Sequence, residues 1–189
     1  MNDVLGYHGK NVVITGAASG MGQAAAQLLV DLGANVYALD IADVSVPVQK
    51  AIEVDMQDGG TIDAALAEVP EEIYALFNCA GVPSPPFSAQ ETVLINFVGL
   101  RYLTEALIPR IIEGGGIASI ASTAGMGWKS NLAQVREFLG LDNSFESAVK
   151  WLLDSAEAVM DGYGFSKQCI IVYTLSKAKV LADKNIRIN

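Results

Sequence analysis

Two stretches of this 189-residue chain hold groups that could do chemistry. The first is TGAASGMG at 15–22, with glycines at 16, 20 and 22. A glycine-rich turn between a strand and a helix lets the backbone approach a pyrophosphate. The helix N-terminus then offers unpaired N–H groups and partial positive charge to the anion. A tight turn with no ligand is the alternative. The second stretch is DGYGFSK at 161–167, in which Tyr163 precedes Lys167 by four residues. A free phenol titrates near 10 and is a poor base at neutral pH. A nearby cation favours the phenolate, and residues four apart on a helix share a face. Such a pair can give and take a proton at a substrate oxygen. It can equally be a solvated polar pair on a helix surface, and the rest of the chain has to decide.

Asp40 is the first such indication, lying twenty positions after Gly20 at the end of an apolar run. A carboxylate there can accept hydrogen bonds from the ribose hydroxyls of an adenine dinucleotide. It would repel a 2′-phosphate, and no Lys or Arg stands in the glycine loop or just after Asp40 to offset this. NAD is therefore expected over NADP. Other chemistries are poorly served. The single histidine, His8, excludes most Ser-His-Asp and multi-histidine metal schemes. Cys79 and Cys169 have no metal spacing, so no metal site is expected; they read as small buried residues of a reducing cytosol. The formal charge is −9 with no basic cluster, which disfavours nucleic acid and anionic membranes. No apolar run is long enough to span a bilayer. MNDVLGYHGK lacks a basic-then-apolar leader, so a cytoplasmic protein is expected.

The elements that must position these groups alternate. Short β-rich runs fall at 11–15, 35–40, 51–55, 73–81 and 116–122, and a last one begins at 185–189. Helical patterns fall at 21–32, 61–69, 88–112 and 164–182, the third apolar nearly all round and kinked near its end by Pro109. This order predicts one doubly wound parallel α/β sheet, a Rossmann fold, as a single domain over 1–189. The hydrophobic content of 51% fits a sheet covered on both faces. Residues 125–162 break the alternation. Within them 144–160 is amphipathic, with Phe145, Val149, Leu152, Leu153, Ala156 and Val159 at helical spacing. This predicts an inserted helix, packed on its own domain or against a second subunit.

Five ordered motifs resemble the short-chain dehydrogenase/reductase family along essentially the whole chain: TGAASGMG (15–22), NCAG (78–81), LINFVGL (94–100), IASTAG (120–125) and YGFSK (163–167). The resemblance implies a catalytic set of Asn96, Ser122, Tyr163 and Lys167. It assigns Gly16, Ser19, Gly20, Met21 and Gly22 to the pyrophosphate turn, and Asp40 and Ile41 to the ribose. Asp55 and Met56 would meet the adenine, and Asn78, Ala80 and Gly81 would wall the cofactor, with Tyr163 and Lys167 also touching it. The implied reaction is hydride transfer between a secondary alcohol or ketone and a nicotinamide. Tyr163 would handle the proton, Ser122 would hold the substrate oxygen, and Asn96 would help hold a water linking Lys167 to solvent. On a strand, alternate residues share a face, so Ser119 and Thr123 are expected to point away from Ser122.

Two departures from the family pattern bear on function. Ser122 and Tyr163 are 41 positions apart, far more than in most of the family. That spacing resembles the branch with 3α-hydroxysteroid dehydrogenase/carbonyl reductases and coniferyl-alcohol dehydrogenases, which implies a steroid-like or aromatic substrate. It also places an insertion beside the helix that commonly builds the family's tetramer, so a homodimer is expected. The sequence further ends at NIRIN, where the family continues into a Pro-Gly turn and a last strand. The 189-residue piece, with the C-terminal part of the fold missing, is expected to be poorly stable and weakly active alone. A catalytically weak dinucleotide-binding or redox-sensing protein of the same fold is the alternative reading.

Overall fold

In the computed structural model, which describes residue 3 and residues 5–189, six parallel strands form one sheet in the order β3-β2-β1-β4-β5-β6. They are β1 (Asn11–Thr15), β2 (Asn35–Asp40), β3 (Lys50–Glu53), β4 (Ile73–Asn78), β5 (Ile111–Ser119) and β6 (Arg187–Ile188). The strand order reverses between β1 and β4, and a crevice opens there at the carboxyl ends of the strands. Side chains alternate across the sheet, as the two-residue period of a strand requires. Val12 and Ile14 enter one core with Val36, Ala38, Ala26 and Leu29, under α1 (Gly20–Asp31). Val13, Leu39, Leu76 and Ile117 enter the other core, under α2 (Gly59–Glu68), α4 (Leu100–Leu107) and α7 (Gly162–Ala182). This is the doubly wound parallel sheet that the alternating pattern predicts.

The predicted run of helix over 88–112 is shorter and less regular. It comprises α3 (Ala89–Val93), a π-helical stretch (Leu94–Gly99), α4, and a 3₁₀ turn at Ile108–Arg110 that contains Pro109. Ser88 starts it with a capping box: its hydroxyl accepts from Glu91 N–H while the Glu91 carboxylate accepts from Ser88 N–H. Strand β5 then begins at Ile111, not 116, and ends at Ser119, not 122. The glycines at 114–116 read as a turn in the sequence but are absorbed as an irregularity within the strand, where the register against β4 shifts. Gly114 takes a φ of +82°, and a Cβ on Gly115 would lie 2.5 Å from the Tyr74 carbonyl oxygen.

The insertion is helical but is several pieces. A 3₁₀ turn (Thr123–Lys129) leads into α5 (Leu132–Leu139), α6 (Phe145–Asp154) and a second 3₁₀ turn (Ala156–Val159). It packs on its own domain through aromatic rings. Phe138 is fully buried, with ring centroids of Trp151, Phe165 and Phe97 at 4.7, 5.6 and 5.9 Å. Trp151 stacks on Phe165 at 5.8 Å, and its indole N–H donates to Glu137. The expected apolar stripe is only half right. Leu152 and Val159 are buried and Phe145 is half-buried, but Val149, Leu153 and Ala156 are exposed. Ala148 takes the inward position instead. The reason is that Phe145, Ala148 and Leu152 form the inward face of α6, which turns Val149 and Leu153 of the same helix toward solvent.

Candidate active site

The glycine turn is shaped by backbone contacts. Gly16 has a φ of +70°, and a Cβ there would lie 2.6 Å from Ala80 N. A Cβ on Gly22 would collide with the Gly16 carbonyl oxygen. The turn is tied to β2 by Gly16 N–H donating to the Leu39 carbonyl at 2.9 Å. It is tied to β4 by Thr15, whose buried hydroxyl oxygen accepts from Cys79 and Ala80 N–H at 3.1 Å each. At the start of α1, Ser19 makes no side-chain cap, and no acidic residue stands in the first turn. The helix N-terminus is thus left to face an anion.

A groove of about 390 Å³ opens over this turn. Gly16, Ser19, Gly20, Met21 and Gly22 line one side. Asp40 and Ile41 line the end of β2, Asp55 and Met56 follow β3, and Ala80 and Gly81 follow β4. These are the positions that the motifs assign to the cofactor, apart from Asn78, Tyr163 and Lys167. Val82, Phe87 and Ile95 complete an apolar wall to which the motifs assign no role. Asp40 already accepts from Ala18 N–H at 2.8 Å and Ala42 N–H at 3.0 Å. An ionised carboxylate has about four lone-pair sites, so capacity remains for a ribose. Asp43 and Glu53 share a neighbouring cleft with Asp40. Asn78 does not line the groove: it lies beneath it, donating to Thr104 Oγ1 at 3.0 Å and Ser119 Oγ at 3.2 Å.

The second stretch of the sequence opens α7. Asp161 caps the helix, its carboxylate accepting from Gly164 N–H at 2.8 Å. Gly162 presses against Ala89, leaving no room for a Cβ. Tyr163 is therefore in the first turn, half-buried, and Lys167 lies one turn on with its Nζ 5.5 Å from the Tyr163 ring centroid. Lys167 is 4% exposed and donates to the Ile120 carbonyl at 2.8 Å. Burial lowers its pKa from the ordinary lysine value of 10.5.

Asn96 sits on the π-helical stretch and is fully buried. Its Oδ1 accepts from Val82 N–H at 2.7 Å, and its Nδ2 donates to the Val82 carbonyl at 3.0 Å and to Ser166 Oγ at 3.4 Å. Ser166 in turn donates to the Tyr163 carbonyl at 2.8 Å. Asn96 thus brackets the loop after β4 to the first turn of α7, using Ser166, a residue whose place between Tyr163 and Lys167 was the only signal for it. A Cβ on Gly81 would lie 3.2 Å from Asn96 Oδ1 and 3.9 Å from Lys167 Nζ, so those two groups converge at the groove wall.

Ser122 is not on a strand, contrary to the expected alternation, because β5 ends three residues earlier. It caps the 3₁₀ turn, accepting from Ala124 N–H at 3.2 Å. That turn packs on α7, where a Cβ on Gly125 would lie 2.8 Å from the Lys167 carbonyl. Ser119 is held by Asn78 beneath the sheet end. Among the described residues, no three His, Cys, Asp or Glu side chains gather as a metal site. No helix among them is long and apolar enough to cross a membrane.

A 3-2-1-4-5-6 parallel sheet with a glycine turn at its β1–α1 junction defines a Rossmann-type α/β protein. The chain belongs to the short chain dehydrogenase family, whose profile matches residues 10–133. Among curated relatives it is 34% identical over 170 residues to a coniferyl-alcohol dehydrogenase of a Pseudomonas species, covering 90% of this chain and 66% of that protein. It is 36% identical over 139 residues to a sulfoacetaldehyde reductase of Chromohalobacter salexigens, covering 60% of this chain and 54% of that one. The chain thus spans two thirds or less of the length of these two relatives. In fold it is similar to a 3-alpha-hydroxysteroid dehydrogenase from a Pseudomonas species complexed with NADH, at TM-score 0.77 and 23% identity, covering 95% of this chain and 70% of that one. One of these relatives, the coniferyl-alcohol dehydrogenase, bears the name of an enzyme of the branch that the long Ser122–Tyr163 spacing resembles, whereas the likeness to the 3-alpha-hydroxysteroid dehydrogenase is one of fold.

Proposed function

We propose that this protein is an NAD(H)-dependent oxidoreductase that interconverts a secondary alcohol and its ketone, with Tyr163 as general acid and base. The observation that carries this reading is Lys167. A buried lysine with no carboxylate partner among the described residues stands one turn from Tyr163, beside Asn96 and the groove wall. A cation kept there favours the phenolate form of a neighbouring tyrosine. The groove fits the cofactor: Gly16, Gly20 and Gly22 line its turn without side chains, and Ser19 makes no side-chain cap at the α1 N-terminus. The nicotinamide supplies the hydride acceptor or donor. In oxidation, Tyr163 takes the hydroxyl proton of the alcohol as the carbon-bound hydrogen leaves as hydride; in reduction, Tyr163 returns the proton to the oxygen. Ser122 holds that oxygen by a hydrogen bond, for which its hydroxyl proton is free while its oxygen serves as a cap. Asn96 orients the first turn of α7 through Ser166.

NAD is favoured over NADP because Asp40 stands at the ribose end, with Asp43 and Glu53 close by. A bulky aromatic or steroid-like alcohol is the proposed substrate class, supported by the names of the relatives, and a homodimer and a cytoplasmic location complete the reading. Residues 123–139 lie against α7, with Asn131 donating to Gln168 at 2.8 Å. They cover part of the helix that would otherwise serve a tetramer; light scattering giving a tetramer would count against the dimer. The direct test is Tyr163→Phe with secondary alcohols and NAD. Turnover should fall by about 10²–10⁴-fold, while NADH binding stays at the wild-type level. Turnover close to wild type would sink the mechanism. Wild-type NADH binding without turnover on any alcohol would favour the catalytically weak binder.

A further inference from the structure

Helix α6 of the insertion meets the proposed cofactor groove at one place. A cleft of about 520 Å³ lies between α6 and the start of α2, and Gln57 lines both this cleft and the groove. At its inner end, the ring of Phe145 seats on Gly59, the first residue of α2. A Cβ on Gly59 would lie 3.0 Å from Phe145 Cδ2. The same ring packs edge-on against Tyr102, with centroids 5.3 Å apart, and the Tyr102 hydroxyl donates to Asp63 of α2 at 2.9 Å. Phe145 and Tyr102 together fix the first turns of α2.

The segment just before Gly59 is tied to α2 by hydrogen bonds. Thr61 Oγ1 lies 2.9 Å from the carbonyl oxygens of both Asp55 and Asp58, and it accepts from Asp55 N–H at 3.1 Å. Gln57 N–H donates to the Asp55 carboxylate at 2.9 Å. Asp58 caps α2 through Gly60 N–H at 2.8 Å. Residues 55–58 are thus an extension of the first turn of α2, and what seats α2 also seats Asp55 and Met56 in the groove.

We propose that Phe145 is a positioning residue for the adenine end of the groove, acting through its seat on Gly59. This rests on the dinucleotide reading, in which Asp55 and Met56 meet the adenine. The inserted helix then sets cofactor affinity from outside the groove, and a glycine at 59 is the complement that its ring requires.

The test measures affinity for NADH, AMP and reduced nicotinamide mononucleotide in wild type, Phe145→Ala, Phe145→Leu, Gly59→Ala and the double variant Gly59→Ala with Phe145→Leu. Phe145→Ala and Gly59→Ala should each weaken AMP about fivefold, with the mononucleotide unchanged. The double variant should recover AMP affinity relative to Gly59→Ala, because Phe145→Leu removes the ring edge that the added Cβ meets. A merely structural role would lower thermal stability and leave the ratio of the two half-ligands untouched. Unchanged AMP affinity, or parallel loss of both half-ligands, overturns the proposal. Should Phe145→Ala fail to fold, Phe145→Leu and Gly59→Ala carry the same reading. Wild-type protein that binds neither NADH nor AMP overturns the dinucleotide reading itself.

Discussion

Residues 11–81 and residues 123–160 are both built into the same sheet protein, but they are held by different interactions. In the first region the fixing contacts are made largely by backbone and by short polar side chains at strand ends. Thr15 bridges β1 to β4, Gly16 joins β2, Asp40 closes on Ala18, and Thr61 ties the loop after β3 to α2. Their partners are set by the βαβ connection itself. In the insertion the fixing contacts are large rings from distant parts of the chain: Phe138 meets Phe97 and Phe165, and Trp151 stacks on Phe165. A site made of backbone donors needs exact chain geometry and tolerates little added bulk. A segment held by apolar area tolerates changes of position provided that the area is covered.

This difference can be broken or sharpened by mutation. The largest expected effect on stability is at Phe138. Phe138→Ala removes a fully buried ring and should cost about 3–5 kcal/mol. Thermal denaturation should show a fall of about 2–4 °C for each kcal/mol, while NADH affinity well below the transition is retained. Equal losses of stability and of affinity would show that the two regions are not separable.

Asp40→Asn probes the other region. Removing the charge keeps the size and should raise the affinity for NADPH relative to NADH about tenfold, or about 1.4 kcal/mol, while the loss of one of the two backbone bonds that the carboxylate accepts lowers stability by about 1 kcal/mol. Dissociation constants for both cofactors decide it, and an unchanged ratio would remove Asp40 from cofactor discrimination.

The smallest expected effect is at Lys167, and its sign follows from burial. Its folded pKa lies below the ordinary value of 10.5, so between those two values the unfolded chain binds more protons. The cost of burying the cation is present in full below the folded pKa and fades as pH rises through it. The stability of wild type relative to Lys167→Met should therefore rise with pH in this alkaline window. Denaturant titrations across it provide the check, and a falling or flat difference would refute the assignment.

The first region was the more legible. The β2 bounds and the glycine turn were readable because strand period and turn chemistry are local properties. The groove gathers eleven of the residues that the motifs assigned to a cofactor. Asn78 lies outside the groove lining, since a motif position does not say which way a side chain at a strand end turns; here it turns under the sheet to Thr104 and Ser119. Ser122 was placed on a strand because GIASIAS at 116–122 reads as one β-rich run, yet β5 ends at Ser119 and a 3₁₀ turn takes over. The insertion was legible as helical but not in orientation. Val149 and Leu153 fit the same apolar period as Leu152, and only the positions of Phe138 and Phe97 decide which of them turns inward.

By itself the sequence determined the alternation of strands and helices, the turn that must be glycine, and the four-residue spacing that puts Tyr163 and Lys167 on one face. Each depends on neighbours within a few residues, where backbone sterics leave few choices. The tertiary structure alone decided that Asn96 brackets Val82 to Ser166, that Lys167 is buried against Ile120, and that Phe145 rests on Gly59. Those contacts join residues between 14 and 86 positions apart. Close packing of the whole chain, and no local period, selects which of many sterically acceptable partners each side chain meets.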